Sequence, residues 1–488
     1  MIAAFMASWM GSLPAAEHDF FAQRAELRLD RAQVSARLLK GSPERAQRLV
    51  KGINALLAVA TQHRAHDQER PLRQMIAGLR LLDANLAAGR ESALEALPPI
   101  PESVSIQDQH AWDDALRSKR SAALQSTRSL VEEAIRNGLA DVASDLLRQY
   151  LVAYPDDPVV HHSLGQTMVR DRWYGPNSLA VAENGLDWNE HLGWVRVADQ
   201  SRYDHGEYCD LDTGVWSSMA EADARHDAID TGWHIQSEHL DVRGNAHLAD
   251  IIRCINHLEL FYQQIFSVYA LFFCPKEQSD LRIVFAMGNS PKLIVNLERT
   301  KEDYKKALPV PAAWSGGMFI PTIPASFFYV GPGNAMYHEF THQVLHVFAE
   351  MDHAPFWLVE GVAVYSESPE FVDGELVLGT IRNNYHIQGY LKELASGTAE
   401  SLDTLFGVAT FREWMDAVEP FKNYAIAGTF LEFLMEGHAR CYRADLIDFL
   451  RDSYLDQTGG HSLFDYLGVE QQDLENEFVS WTSTLSPN

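Results

Sequence analysis

His338-Glu339-Phe340-Thr341-His342, with Trp357-Leu358-Val359-Glu360-Gly361-Val362-Ala363 downstream, decides how this chain is read. Helical residues four apart share one face, so His338 and His342 can hold one tetrahedral ion, with Glu339 projecting beside them. A catalytic zinc needs three protein ligands and one open position for water; two histidines and a glutamate are a recurring set, and Glu360 would complete it. A lone HExxH can arise by chance in a chain with 20 histidines, so its surroundings matter. Gly331-Pro332-Gly333 breaks the strand-like run Phe327-Phe328-Tyr329-Val330, and Asn334 offers a side-chain oxygen to cap a helix starting just before His338. Met336, Phe340, Val344, Val347 and Phe348 then recur as one apolar stripe, and His338, His342 and His346 as another. A second helix is expected to begin near Pro355 and to carry Glu360, with Gly361 and Ala363 allowing close approach.

Other third ligands fit less well. His346 lies two turns from His338, about 12 Å along a helix axis, too far for one ion to be shared with both other histidines, and Glu350 fails in the same way. His353, on the connection, is geometrically feasible. A third-histidine pattern, however, would be HExxHxxGxxH, and this chain has Leu345 and Phe348 in that region. Glu360 is preferred.

Composition sets the outer bounds. The 488 residues are enough for two or three domains, and 46% hydrophobic content with 10% aromatics supports sizeable cores. Forty basic against 67 acidic residues gives a net charge of -27. Such a field repels nucleic acid and anionic lipid, so neither is an expected partner; the acidity serves solubility first. Cys209, Cys254, Cys274 and Cys441 show no CxxC spacing and are too few for a disulfide scaffold. Met1 to Ala16 resembles the apolar part of a signal peptide without the usual preceding Lys or Arg, which favours an exported protein, periplasmic or extracellular, over a cytoplasmic one. No apolar run reaches the ~20 residues that a stable membrane span needs.

The expected class is α+β, with a mostly helical N-terminal region. Residues 17–95 read as two or three helices, and Leu97-Pro98-Pro99-Ile100-Pro101 as a linker. A second helical stretch is expected from about residue 110 to 190. Within it, the run from Ala143 to Gly165 resembles the seam of a tetratricopeptide pair and would offer a surface to a protein partner; an ordinary helical hairpin reads equally well. Residues 191–232 read as an irregular or β insert, and 233–488 as the domain carrying the histidine motif. There, Trp233 to Val242 and Leu281 to Ala286 are strand-like, 245–272 is helical, and His234 and His239 are expected on a sheet surface. Gly316 to Ile320 and Phe327 to Val330 would add strands, one of them at an edge where it could pair with substrate backbone.

At the motif residues the chain resembles the gluzincins, zinc peptidases with an HExxH helix and a glutamate ligand on the next helix. Trp357 to Ala363 is similar to the WLNEGFA run of their aminopeptidase branch, and the interval of 17 residues between His342 and Glu360 is similar too. Asn423-Tyr424-Ala425-Ile426-Ala427-Gly428 resembles the segment where that group places a transition-state tyrosine. The chain is also similar to an uncharacterised bacterial gluzincin-like family with helical, tetratricopeptide-like segments before the peptidase core. Over residues 230–485 the resemblance implies a mixed sheet, an HExxH helix and a helical C-terminal half. It further implies one Zn2+ per chain on His338, His342 and Glu360, Glu339 as general base, Tyr424 at the oxyanion, and a peptide or protein substrate. Gly316-Gly317-Met318-Phe319-Ile320 is the nearest match to the family's GxMEN strand, which implies substrate binding at Gly316 and Gly317. Two departures stand out. Phe319 replaces the amine-binding glutamate, favouring an endopeptidase, with Glu367 and Glu370 as alternative sources of that carboxylate. Val364 replaces an aspartate that in some gluzincins orients a histidine ligand. The rival expectations are an inactive zinc-binding or helical interaction module and a zinc hydrolase of a non-peptide substrate.

Overall fold

The computed structural model describes isolated helical positions between 121 and 147 and residues 156–273, 291–310, 315–331, 333–349, 351–372, 375–408, 411–416 and 420–485. The apolar run 1–16, the helices expected over 17–95, the linker 97–101, residues 145 and 148–155 of the tetratricopeptide-like seam and the strand 281–286 lie outside the described residues. The chain divides into two compact units: Ala25–Gly165 with Phe273–Phe285, and Gln166–Phe272 with Ala286–Asn488 and Met1–Arg24. In the first unit, the described positions from 121 to 147 are helical, with Leu130, Val131, Ala134, Ala143, Leu146 and Leu147 buried. A short helix, Pro158–Ser163, follows, started by Asp157, whose carboxylate accepts from Val159 N at 2.9 Å.

The second unit is α+β. The helical stretch expected up to residue 190 stops well before that point. Thr167–Val169 pairs antiparallel with Arg172–Tyr174, and Leu186–Asn189 with Gly193–Arg196, around one helix, Pro176–Glu183. The first hairpin turns through Arg170 and Asp171, both at positive φ (49° and 64°), a conformation whose usual sequence signal is Asn-Gly, absent here. The expected β insert therefore starts near residue 167, and it also contains the hairpin Glu207–Cys209 with Trp216–Ser218. Tyr174, Ala182 and Trp194 form its small core.

The main sheet has five strands: β1 (Trp233–Gln236), β2 (Leu240–Gly244), β3 (Leu293–Glu298), β4 (Gly317–Ile320) and β5 (Ala325–Tyr329). Their order is β4-β5-β3-β2-β1; β3 runs parallel to β5 and β2, and both outer pairs are antiparallel. The single strand expected over 233–242 is a hairpin, closed by Ser237 N donating to Leu240 O. His234 is half-exposed, as expected of a sheet surface. His239 is not: it is buried, its Nδ1 is 2.6 Å from Glu259 Oε2, and its ring stacks on Tyr262. The tight turn swings it inward, where a carboxylate from the next helix partners it.

That helix, α1 (Leu248–Val268), buries Ile251, Ile255, Leu258, Phe261 and Ile265 at helical spacing. Phe261 meets Tyr337 and Phe340, and Phe266 meets Phe348, so α1 packs on α2 (Gly333–Phe348), the helix of the histidine motif. α3 (Phe356–Ser366) carries Glu360 and is buried from Trp357 to its end. α4 (Tyr385–Ser396), α5 (Pro420–Glu436), α6 (Arg443–Tyr454) and α7 (Gln471–Thr482) make the helical C-terminal half. Among the described residues, no helix is long and apolar enough to cross a membrane.

Close approach of α3 to α5 depends on two missing side chains. A Cβ on Gly361 would sit 2.6 Å from Leu431 Cδ2 and 3.1 Å from Ala427 O, and one on Gly428 would sit 2.1 Å from Val364 Cγ1. Gly428→Ala is therefore expected to lower stability by about 1–3 kcal/mol through overpacking. Denaturant unfolding should show a smaller cost when Val364→Ala already provides room; an equal cost in both backgrounds would place the strain elsewhere.

Candidate metal centre

The rotation of α2 is set by a buried amide. Gln343 donates from Nε2 to Ile294 O at 2.9 Å and to Pro324 O at 3.1 Å, and its Oε1 accepts from Ser326 Oγ at 2.8 Å. These bonds pin one side of the helix to β3 and β5, so the face a quarter-turn away, bearing His338 and His342, turns from the sheet. Asn334 does not cap α2 as expected: it lies inside the first turn and donates from Nδ2 to Ser368 Oγ at 3.2 Å. α3 begins where Pro355 suggested, and it brings Glu360 opposite the histidines.

His338 Nε2 is 3.1 Å from Glu360 Oε2, and His342 Nε2 is 3.7 Å from the same oxygen. The two imidazole centroids are 5.0 Å apart, and the three donor atoms lie within 4.8 Å of one another. Donors ~2.0–2.1 Å from a tetrahedral zinc lie roughly 3.3–3.4 Å apart, so both measured separations are within a few tenths of an ångström of what zinc requires. The donor set, two imidazole nitrogens and a carboxylate in a nearly water-free place, fits that ion. His342 and Glu360 are buried, and the His338 side chain is 12% exposed.

The partner of His338 was not identified in the sequence, yet seven residues after Glu360, at the C-cap of α3, stands Glu367. Its Oε2 accepts from His338 Nδ1 at 2.9 Å, which leaves Nε2 as the nitrogen aimed at the ligand group. The available signal was an acid two helical turns after Glu360, at the helix end. Val364, where an aspartate was looked for, faces α5 instead. His342 Nδ1 is buried without a hydrogen-bond partner among the described residues, and nothing in the structure explains this.

Glu339 is partly buried and accepts from Phe319 N, on β4, at 2.8 Å. Burial raises its carboxyl above the usual range, partly offset by His338 and His342. For Glu360 burial acts in the same direction, but the charge of His342 and hydrogen bonds from His338 and His342 outweigh it and hold the carboxyl at about 2. Burial opposes a charged His338, yet its bonds to Glu360 and Glu367 prevail and raise its pKa well above that of an ordinary histidine. Tyr424 lies beside this group, its ring centroid 6.2 Å from that of His338; burial, with the charges of Glu360 and Glu339, pushes its phenol far upward. His386, which no motif pointed to, stacks on Tyr424 at 5.5 Å, and Trp414 meets Tyr424 edge-on at 5.1 Å.

Three further side chains lie nearby or on the connection. His346 packs its ring against Phe319, Tyr365 donates to Glu436, and His353 is exposed and outside the ligand group. Gly317 opens β4, an edge strand of the sheet, next to Gly316. Comparison with known proteins gives no match: no family model, no curated protein and no solved structure is significantly similar to the chain.

Two consequences can be measured together. Protonated His338 cannot bind a metal, and its pKa is raised, so zinc uptake by metal-free protein at neutral pH should release a proton and strengthen as pH rises. Glu367→Gln should weaken zinc by about 10–100-fold and reduce that proton release. Calorimetry in buffers of different ionisation enthalpy reads both quantities, and unchanged values in the variant would show that Glu367 does not orient His338.

Proposed function

We propose that this protein is a zinc-dependent peptidase whose residues 233–488 form a gluzincin-type catalytic domain. The observation that carries the reading is the meeting of His338, His342 and Glu360 within 4.8 Å, beside a Glu339 carboxylate anchored to an edge strand. A structural metal site would have no use for a base at that position. One Zn2+ per chain, held by His338, His342 and Glu360, supplies Lewis acidity at the scissile carbonyl and brings a water's pKa toward neutrality.

The chain's own residues do the rest. Glu339 takes the proton of the attacking water and passes it to the leaving amine; its raised pKa suits both roles. Tyr424 keeps its proton at any ordinary pH and donates a hydrogen bond to the oxyanion. Phe319 N points away from the β4–β5 pairing toward Glu339, so Gly317, two residues back, presents its backbone groups along the same open edge. With Gly316 this is the strand against which an extended peptide would align.

His342→Ala and Glu360→Ala should lose most of the zinc. Glu339→Gln should keep it and lose at least ~10² in turnover, and Tyr424→Phe should lose roughly 10². Metal analysis beside turnover of a peptide library decides: full zinc in Glu360→Ala would remove it from the ligand set, and an active Glu339→Gln would remove the base. Endopeptidase action is favoured because Phe319, on the edge strand beside Glu339, offers no carboxylate to a substrate's α-ammonium, which is costly to desolvate unpaired. A peptide and its N-acetylated form should therefore be cleaved at similar rates; loss of cleavage on acetylation would mark an aminopeptidase.

A further inference from the structure

His386 belongs to no motif, yet the fold delivers it to the centre by a specific route. Asn384, 1% exposed, caps α4 by accepting from Ile387 N at 3.1 Å and donates from Nδ2 to Val364 O at 2.6 Å. One side chain thus starts α4 and ties its first turn to the end of α3, two residues before His386. The imidazole then sits with Nε2 3.8 Å from Glu367 Oε1, while the other oxygen of that carboxylate holds His338. Its ring face lies on Tyr424, centroids 5.5 Å apart and planes 29° from parallel. Fully buried Trp414 meets the same phenol edge-on, and Phe356 at the start of α3 backs Trp414.

We propose that His386 is a positioning residue, its ring face holding the Tyr424 phenol beside the His338, His342 and Glu360 group. A tyrosine side chain turns about two torsions, and a small swing carries its hydroxyl out of hydrogen-bond reach of a reacting atom. Contact with His386 and Trp414 restricts that swing, so the hydroxyl's direction is fixed before substrate arrives. Glu367 is shared: one oxygen orients a ligand histidine, the other faces the imidazole that holds the tyrosine. This inference rests on the peptidase reading only for the catalytic use of Tyr424; the positioning is a property of the folded chain.

The test uses the full chain labelled with 3-fluorotyrosine, the Tyr424 resonance being assigned by its absence in Tyr424→Phe. His386→Ala should shift or broaden that resonance while zinc content stays at the wild-type level, and should lower kcat about tenfold with little change in KM, in keeping with loss of one stacking contact. His386→Phe, which keeps a ring face without the nitrogen, should move the resonance back toward wild type and recover part of the lost kcat. His386→Leu, filling volume without a ring face, repeats the comparison if the alanine variant does not fold. An unmoved Tyr424 resonance, loss of zinc, or a phenylalanine variant indistinguishable from alanine would each overturn the proposal. A wild-type chain without peptidase activity would instead overturn the peptidase reading, leaving the resonance and zinc measurements to judge the positioning.

Discussion

Contact between α3 and α5 at Gly361 and Gly428 governs where Glu360 can be. The two helices meet backbone to side chain, each presenting a glycine to a branched residue of the other, Gly361 to Leu431 and Gly428 to Val364. Gly361 directly follows Glu360, so the spacing that seats α3 also sets how far the carboxylate reaches toward α2. The same α5 carries Tyr424 one turn before Gly428. Glu360 and Tyr424 are in this way referenced to a single helix–helix contact, and interiors packed to crystal-like density transmit even a small displacement.

The opposite wall is fixed by polar means. Gln343, fully buried, spends its amide on two backbone carbonyls and a serine hydroxyl of the sheet. Leaving any of these unsatisfied would cost the desolvation of a buried polar group, so the register of α2 against β3 and β5 is well determined. α1 closes the other side with aromatic contacts through Phe261 and Phe266.

Between these walls lie Glu339, Glu360 and Glu367 with His338, His342 and His386. Three carboxylates in so little water are unfavourable without nearby positive charge, and the raised pKa of His338 is the metal-free chain's partial answer. A divalent cation supplies that charge directly and needs the histidines neutral. The buried trio of His338, His342 and Glu360 therefore could bind a metal.

Spacing and helix-start residues were enough to identify α2, the start of α3, the grouping of His338, His342 and Glu360, and the glycine that admits a neighbouring helix, because these depend on one or two helices. The i, i+4 histidines and the next helix's glutamate are local facts. Long-range contacts were beyond it. His386 is recognisable only once α4 is tied to α3 through Asn384 and Val364, and Gln343 only once α2 lies on the sheet. The turns at Arg170–Asp171 and Ser237–His239 contain no glycine or Asn-Gly pair to mark a hairpin, and cross-strand pairing sustains them. Sequence by itself determined which residues can bind a metal. Tertiary structure alone decided which groups orient those residues, since hydrogen bonding and stacking between distant segments exist only after the segments have packed.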